Sequence, residues 1–247
     1  MSSRRHVLSL LSAAPFAPAL AGCASEKLPD AVAGWRDPGA GETDPRRFAL
    51  AHAILAPNPH NTQPWLVELD DADGMTLYCD LDRRIPFTDP LDRQITIGHG
   101  CFLELYRMSA GLKNYWPNIG FFPEGEPTPR LDARPVARVT LGPRQDQPNS
   151  DRSIAQIVNR RTNRNPYDTR TPTAEQLEEL VNGVVGMGEE HTGGIYWTND
   201  PARVAQGRDL VWRAWDRELR TEGAAAEIRR KAGEALEVVG LSRSEEH

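Results

Sequence analysis

Between Pro45 and Leu55 apolar residues return at Phe48, Ala51 and Leu55, with His52 on the same side. That is the spacing of one helix face. Ala56-Pro57 ends it, because proline disfavours helical geometry in the residue before it. The period then changes. Trp65-Leu66-Val67-Glu68-Leu69 alternates as a half-buried strand does, Asp71 to Gly74 has turn composition, and Thr76 to Leu81 is strand-like again. These three pieces predict an antiparallel hairpin. "DRRIPFTDPLDRQ", residues 82–94, reads as a loop. Phe102, Leu105, Tyr106 and Ser109 predict a helix that opens near Cys101 and ends near Gly111. Residues 117–135 are turn-rich, Ala137 to Leu141 reads as a strand, and the polar run "GPRQDQPNS" (142–150) reads as a linker.

Beyond that linker, Ile154, Ile157 and Val158 predict a helix over 153–158. Thr173 and Gln176 have the spacing of a capping box, in which two side chains satisfy each other's free backbone N–H groups. They would open a helix carrying Leu177, Leu180, Val181 and Val184. Gly194 to Thr198 reads as a strand, and Val211, Trp215 and Leu219 form the apolar stripe of a last long helix. Helices and strands mix without regular alternation, so the expected class is α+β. No strand follows the last helix. Its stripe is therefore expected to stay partly exposed, the second block to be incomplete, and the chain by itself to be only marginally stable.

The first 23 residues depart from this pattern. "SSRRHVLSLLSAAPFAPALAGC" places Arg4 and Arg5 ahead of a mildly apolar run broken by Pro15 and Pro18. That run is too short to span a bilayer as a helix, and it has the layout of an export signal. Ser3 to Leu8 resembles the twin-arginine signal of proteins exported already folded. Leu20-Ala21-Gly22-Cys23 resembles a lipobox, which would make Cys23 a lipid anchor; the same residues also fit a plain cleaved signal peptide. Periplasmic or membrane-anchored localisation is the expectation, with the twin-arginine export machinery as a partner. Residues 24–44, rich in Gly, Pro, Asp and Glu, read as a tether. The resulting organisation is 1–23 signal, 24–44 linker, 45–145 first block and 151–247 second block.

Composition narrows the chemistry. The chain of 247 residues has a net charge of −6, which argues against a nucleic-acid partner or broad binding to an anionic membrane. Its 3 cysteines, Cys23, Cys79 and Cys101, lack metal-type spacing and exclude a disulfide scaffold. Common catalytic and nucleotide signatures, among them G-x-S-x-G, H-E-x-x-H and C-x-x-C, are missing. The glycines at 183, 186 and 188 have the wrong spacing for a dinucleotide fingerprint. His52 on its amphipathic helix reads as a satisfied core residue, while His99 between two glycines is open to either reading.

Two segments carry more polar capacity than their place in the chain requires. In "PNPHNTQPW" (57–65), Asn58, His60, Asn61 and Gln63 crowd a connection that needs only a few turn residues. The amides of Asn61 and Gln63 can each donate and accept in one plane, as the edge of a heterocycle requires. In Arg160-Arg161-Thr162-Asn163-Arg164, three forked guanidinium groups and a hydroxyl suit a phosphate. A solvated basic turn is the plainer reading of that run.

Together the two segments resemble motifs of the nitroreductase-like flavoprotein family. Arg160 to Arg164 is similar to an "RRSxR"-type phosphate-gripping motif, with Thr162 in the hydroxyl position. Ala56 to Trp65 is similar to an "APSxxNxQPW"-type segment that lies against the flavin, with Asn58 in place of serine. Their order matches a branch in which two nitroreductase-like halves are fused in one exported chain. The resemblance implies the FMN-dependent fold of that family, its second half incomplete here because the basic residues that commonly finish the phosphate grip have no match before His247. It implies FMN held by Asn58, His60, Asn61 and Gln63 at its ring, with Trp65 behind, and by Arg160, Arg161, Thr162 and Arg164 at its phosphate. It also implies hydride transfer from NAD(P)H to a nitroaromatic or quinone-like acceptor, with no catalytic acid or base from the protein. The alternative is a non-catalytic protein of the envelope that binds or sequesters a flavin.

Overall fold

A computed structural model describes residues 32–70, 73–143, 152–163, 165–168, 170–185 and 196–238. The leader, most of the linker at 142–150, Arg164, and Gly194 with Ile195 lie outside the described residues. Over the described residues the chain divides into two compact units, Met1–Arg160 with Ala225–His247, and Arg161–Ala224.

The first unit is a mixed α+β structure built on a four-stranded antiparallel sheet. Its elements are α1 (Ala33–Arg36), α2 (Pro45–Ala53), β1 (Trp65–Leu69), β2 (Gly74–Cys79), α3 (Arg93–Leu112), β3 (Tyr115–Phe121) and β4 (Ala137–Pro143), with α6 (Ala224–Val238) returning to it. The strand order is β1-β2-β4-β3. The hairpin forms in the register Trp65 opposite Cys79 through Leu69 opposite Met75. One sheet face presents Met75, Leu77, Ala137, Val139 and Leu141 to Phe102, Leu103, Tyr106 and Ala110 of α3, with Ala49 and Ala53 of α2 in the same core. The alanines of α2 let its backbone come close to the larger side chains of α3. Each fully buried aromatic or aliphatic side chain in this layer stabilises the fold by roughly 1.5–3 kcal/mol.

Local chemistry fixes the helix starts. Asp44 accepts from the backbone N–H of Arg46 at 2.8 Å ahead of Pro45, satisfying a donor at the N-terminus of α2. Asp89 accepts from Arg93 N at 2.9 Å and Ile95 N at 3.0 Å, which starts α3 well before the apolar run that announces it. Cys101 therefore lies mid-helix and half-buried, where a helix start was expected. Asp92, fully buried just before α3, is held by Arg130 (3.1 Å) and Arg84 (3.4 Å).

Three further expectations are corrected. Residues 115–121, expected to open a turn-rich stretch from Pro117, form edge strand β3; an edge position tolerates a residue that cannot donate to a ladder. The helix expected over 153–158 is a 3₁₀ turn, Arg152–Gln156, after which Ile157 packs with Leu55 and Met108. Within the segment read as a tether, residues 33–36 form one helical turn.

The second unit holds α4 (Ala174–Val185) and α5 (Pro201–Arg220). The capping box at α4 forms in both directions: Thr173 N donates to Gln176 Oε1 at 3.0 Å, and Gln176 N to Thr173 Oγ1 at 3.3 Å. Residues 196–198, the described part of the expected strand, have no regular structure. The stripe on α5 is exposed, with Trp212 at 63% and Trp215 at 50%.

Candidate functional site

The segment from Ala56 to Trp65 links the end of α2 to the start of β1. Its backbone holds three of the six described non-glycine residues with positive φ in the first unit. His60 (φ 49°), Asn61 (φ 52°) and Gln63 (φ 49°) are all left-handed, three non-glycine residues within four. Each such residue costs on the order of 1–3 kcal/mol unless its surroundings hold it there, and clusters of them mark functional segments.

The surroundings do hold it. The Asn58 side chain donates to Ala56 O at 3.1 Å and accepts from Gln63 N at 2.8 Å, closing the loop across five residues. Thr62, buried, donates through both its backbone N (3.0 Å) and its hydroxyl (3.1 Å) to Pro59 O. From outside the loop, Arg83 Nη1 donates to Thr62 O at 3.2 Å and Asp80 N donates to Pro64 O at 2.9 Å. Below it lies Gly98 of α3. A Cβ added there would stand 3.4 Å from Asn58 Cβ and 3.6 Å from both Asn58 Cα and Pro59 Cδ, so this face of the helix runs directly against the loop backbone. Trp65, half-buried, sets its ring 5.1 Å from that of Phe102 and anchors the far end in the core.

This bracing leaves a clear division of labour. Asn58, Thr62 and Trp65 are committed inward. His60, Asn61 and Gln63 are exposed, and among the described residues neither the Asn61 nor the Gln63 side-chain amide has a hydrogen-bond partner. Two rigidly presented amides with free donors and acceptors can read the edge of a flat polar ring.

Of the arginine run, Arg160 belongs to the first unit. Its Nη2 donates to Leu55 O at 2.9 Å and its guanidinium lies 5.4 Å from the centroid of the Trp35 ring, so it reaches the end of α2 just ahead of the loop. Arg161 and Thr162 open the second unit and are exposed; Arg164 lies outside the described residues.

The titratable groups near the loop carry no activated nucleophile. Burial pushes the Cys79 thiol up to about 12 and raises Cys101 as well, so both remain thiols. Burial also lowers the pKa of His52 and His99, which keeps both rings neutral near pH 7. His52 is satisfied by Phe48 O at 2.9 Å, the core role its helical position predicts. Sequence reasoning passed over Arg83 and Gly98. The charged pair Arg83-Arg84 inside a loop and the glycine pair flanking His99 were the available signals.

No family model matches the chain. The chain is 32% identical over 127 residues to the uncharacterized protein Rv3127 of Mycobacterium tuberculosis (strain H37Rv), covering 49% of this chain and 35% of that protein. It is 32% identical over 128 residues to the protein named "Putative NAD(P)H nitroreductase acg" of the same organism, covering 51% of this chain and 36% of that protein. The matched stretch thus spans about a third of the length of these curated relatives. The similarity is distant and of nitroreductase type.

Proposed function

We propose that this chain builds an FMN site of nitroreductase type, on the fused-halves version of that fold, and that the flavin passes hydride from NAD(P)H to a nitroaromatic or quinone-like acceptor. The observation that carries the proposal is the strained, braced loop with the outward amides of Asn61 and Gln63, taken with the similarity to a protein named as an NAD(P)H nitroreductase. In this reading Asn61 and Gln63 bond to the edge of the isoalloxazine, and Asn58 acts through them by fixing Gln63. His60 borders the ring, and Trp65 backs the segment from the core. Arg161, Thr162 and Arg164 hold the phosphate by charge-assisted bonds, and Arg160 ties their run to the end of α2. When bound, the flavin supplies the hydride chemistry itself, so the protein needs to bind, orient and exclude water. That agrees with the neutral thiols of Cys79 and Cys101 and the neutral buried rings of His52 and His99.

Export in the folded state through Arg4 and Arg5, with Cys23 as a lipid anchor, is part of the same proposal and rests on the leader residues. A cofactor loaded in the cytoplasm would suit that route. Lysine at both positions should leave the protein in the cytoplasm with its leader attached, and normal periplasmic delivery of that variant would remove this part. For the site, the test is optical. The purified protein should be yellow, lose its colour with NADH or NADPH without oxygen, and regain it with a nitroaromatic. Yellow protein that does not bleach would favour the sequestering alternative, and colourless protein that takes up no FMN would overturn the site.

A further inference from the structure

Directly after Gly98, which meets one end of the loop, α3 carries His99, which meets the other end. The ring is fully buried, at 0% exposure. A phenylalanine or leucine would fill such a space without removing a polar group from water, so the imidazole calls for a reason beyond packing. Its Nδ1 lies 2.9 Å from Ile95 O, one turn back on its own helix. A carbonyl only accepts, so the proton sits on Nδ1. Nε2 is then a buried lone pair with no hydrogen-bond partner among the described residues, and the backbone of Pro64 and Tyr78 lies beside the ring. Those groups lie at the start of β1 and opposite it on β2. Pro64 immediately follows the left-handed Gln63, and its carbonyl already takes one hydrogen bond, from Asp80 N at 2.9 Å. A carbonyl oxygen has room for a second.

We propose that His99 is a positioning residue that couples the Pro57–Trp65 segment to protonation. As a neutral ring it is tied only to its own helix. With a second proton, Nε2 becomes a donor to the backbone at Pro64 and Tyr78, fastening α3 to the chain directly behind Gln63. The titratable and charged side chains on the surrounding elements are Tyr78, Cys79 and Asp80 on and after β2, Arg83 beyond them, His60 in the segment, and Asp92 and Cys101 near and on α3. Burial raises Tyr78, Cys79 and Cys101, so they do not change charge in the range where an imidazole does. The interactions that favour the charged ring come from the backbone of Ile95, Tyr78 and Pro64, while burial opposes it, so the change falls below the ordinary imidazole value of 6.5.

The effect on the loop stands on this geometry alone; its effect on ligand binding rests on the flavin reading. Two measurements on the full chain separate them, both followed from about pH 8 to about pH 5, a span that brackets the imidazole range. The first records the ring nitrogens of His99 by NMR together with amide exchange over 60–66, each rate divided by the intrinsic rate at that pH to give a protection factor. The second titrates riboflavin, which lacks the phosphate and so does not itself titrate there. As Nε2 gains its proton, the protection factors over 60–66 should rise by about tenfold, the worth of one charge-assisted hydrogen bond, and riboflavin should bind several-fold more tightly. His99→Leu should abolish both responses, and His99→Gln serves if the leucine variant does not fold. Titration of the ring with no change in protection over 60–66 would overturn the proposal. So would a response that survives in the variants, or a ring that stays neutral throughout. If riboflavin and FMN fail to bind at any pH while the exchange response is present, the flavin reading fails and the tether stands.

Discussion

α3 and α5 are both 20-residue helices with an apolar stripe, and they end in opposite situations. α3 buries Ile95, Phe102, Leu103, Tyr106 and Ala110 under a sheet whose strands are all paired in register. α5 has no buried residue, and Val211, Trp212, Trp215 and Leu219 are exposed along it. The periodicity that makes a helix says only that one face wants a partner. What separates the two is a second layer. For α3 the second layer is written nearby in the chain, as two strand runs and a turn. That same layer holds Gly98 and His99 under the loop, so the firm region is also the one that shapes the candidate site.

The comparison can be broken most directly in the core. Phe102→Ala should destabilise the first unit by about 3–5 kcal/mol, the range for truncating a buried aromatic. Trp215→Ala on α5 should change it by no more than about 0.5 kcal/mol, as an exposed substitution does. Urea denaturation followed by circular dichroism checks both. Equal losses would mean that α5 is packed far better than its exposure indicates.

The helix caps give the next largest effect. Asp89→Ala removes two bonds to buried backbone at the start of α3 and should cost about 1–2 kcal/mol in the same denaturation experiment. Asp200 accepts from Arg203 N at 2.9 Å in an exposed setting. Asp200→Ala should leave the first unit's midpoint unchanged and only fray the first turn of α5, visible as a small loss of helical signal.

The histidines extend the contrast, since among the described residues the two buried rings, His52 and His99, lie in the first unit. Burial lowers each below the ordinary 6.5, so the unfolded chain takes up these protons before the folded one does. Stability is therefore full above about pH 6.5 and falls as pH drops from there toward the folded values. This window lies above that of Asp44, which its hydrogen bond to Arg46 holds below 3.8. Urea midpoints measured across this range should decline with acid, and a His52→Leu variant should decline less. A flat profile would show the rings to be better solvated than their burial indicates.

Much of the first unit was legible in the sequence. The hairpin needed only alternation and an Asp-Ala-Asp-Gly turn, and in the second unit the Thr173–Gln176 box formed as its spacing required. β3 was hidden because Pro117 reads as a strand breaker unless the strand is known to lie at an edge. The first turns of α3 were hidden because Gly98 and Gly100 lower helix propensity, while the deciding cap, Asp89, sits among loop residues. α6 was not foreseen either, and its Glu227 accepts from Thr88 N at 2.9 Å, a partner 139 residues away. In the candidate site the polar crowding was legible but the division of labour was not. Nothing in "PNPHNTQPW" says that Asn58 turns inward as a brace while Asn61 and Gln63 face out, because three left-handed residues without a glycine leave only the weak preference of asparagine and histidine for that region.

In the proposed site one FMN is held at its ring by Asn61 and Gln63 and at its phosphate by the run that contains Arg161. Equilibrium titration of the full chain with FMN and with riboflavin, read by quenching of flavin fluorescence, tests it most directly. Wild-type protein should bind FMN saturably and more tightly than riboflavin. Arg161→Ala should erase that preference, weakening FMN by on the order of 1.5–3 kcal/mol for a lost charge-assisted bond and leaving riboflavin unchanged. Asn61→Leu with Gln63→Leu should weaken both ligands alike. Binding of FMN and riboflavin with equal affinity by wild type, or FMN binding that survives all three substitutions, would contradict the claim.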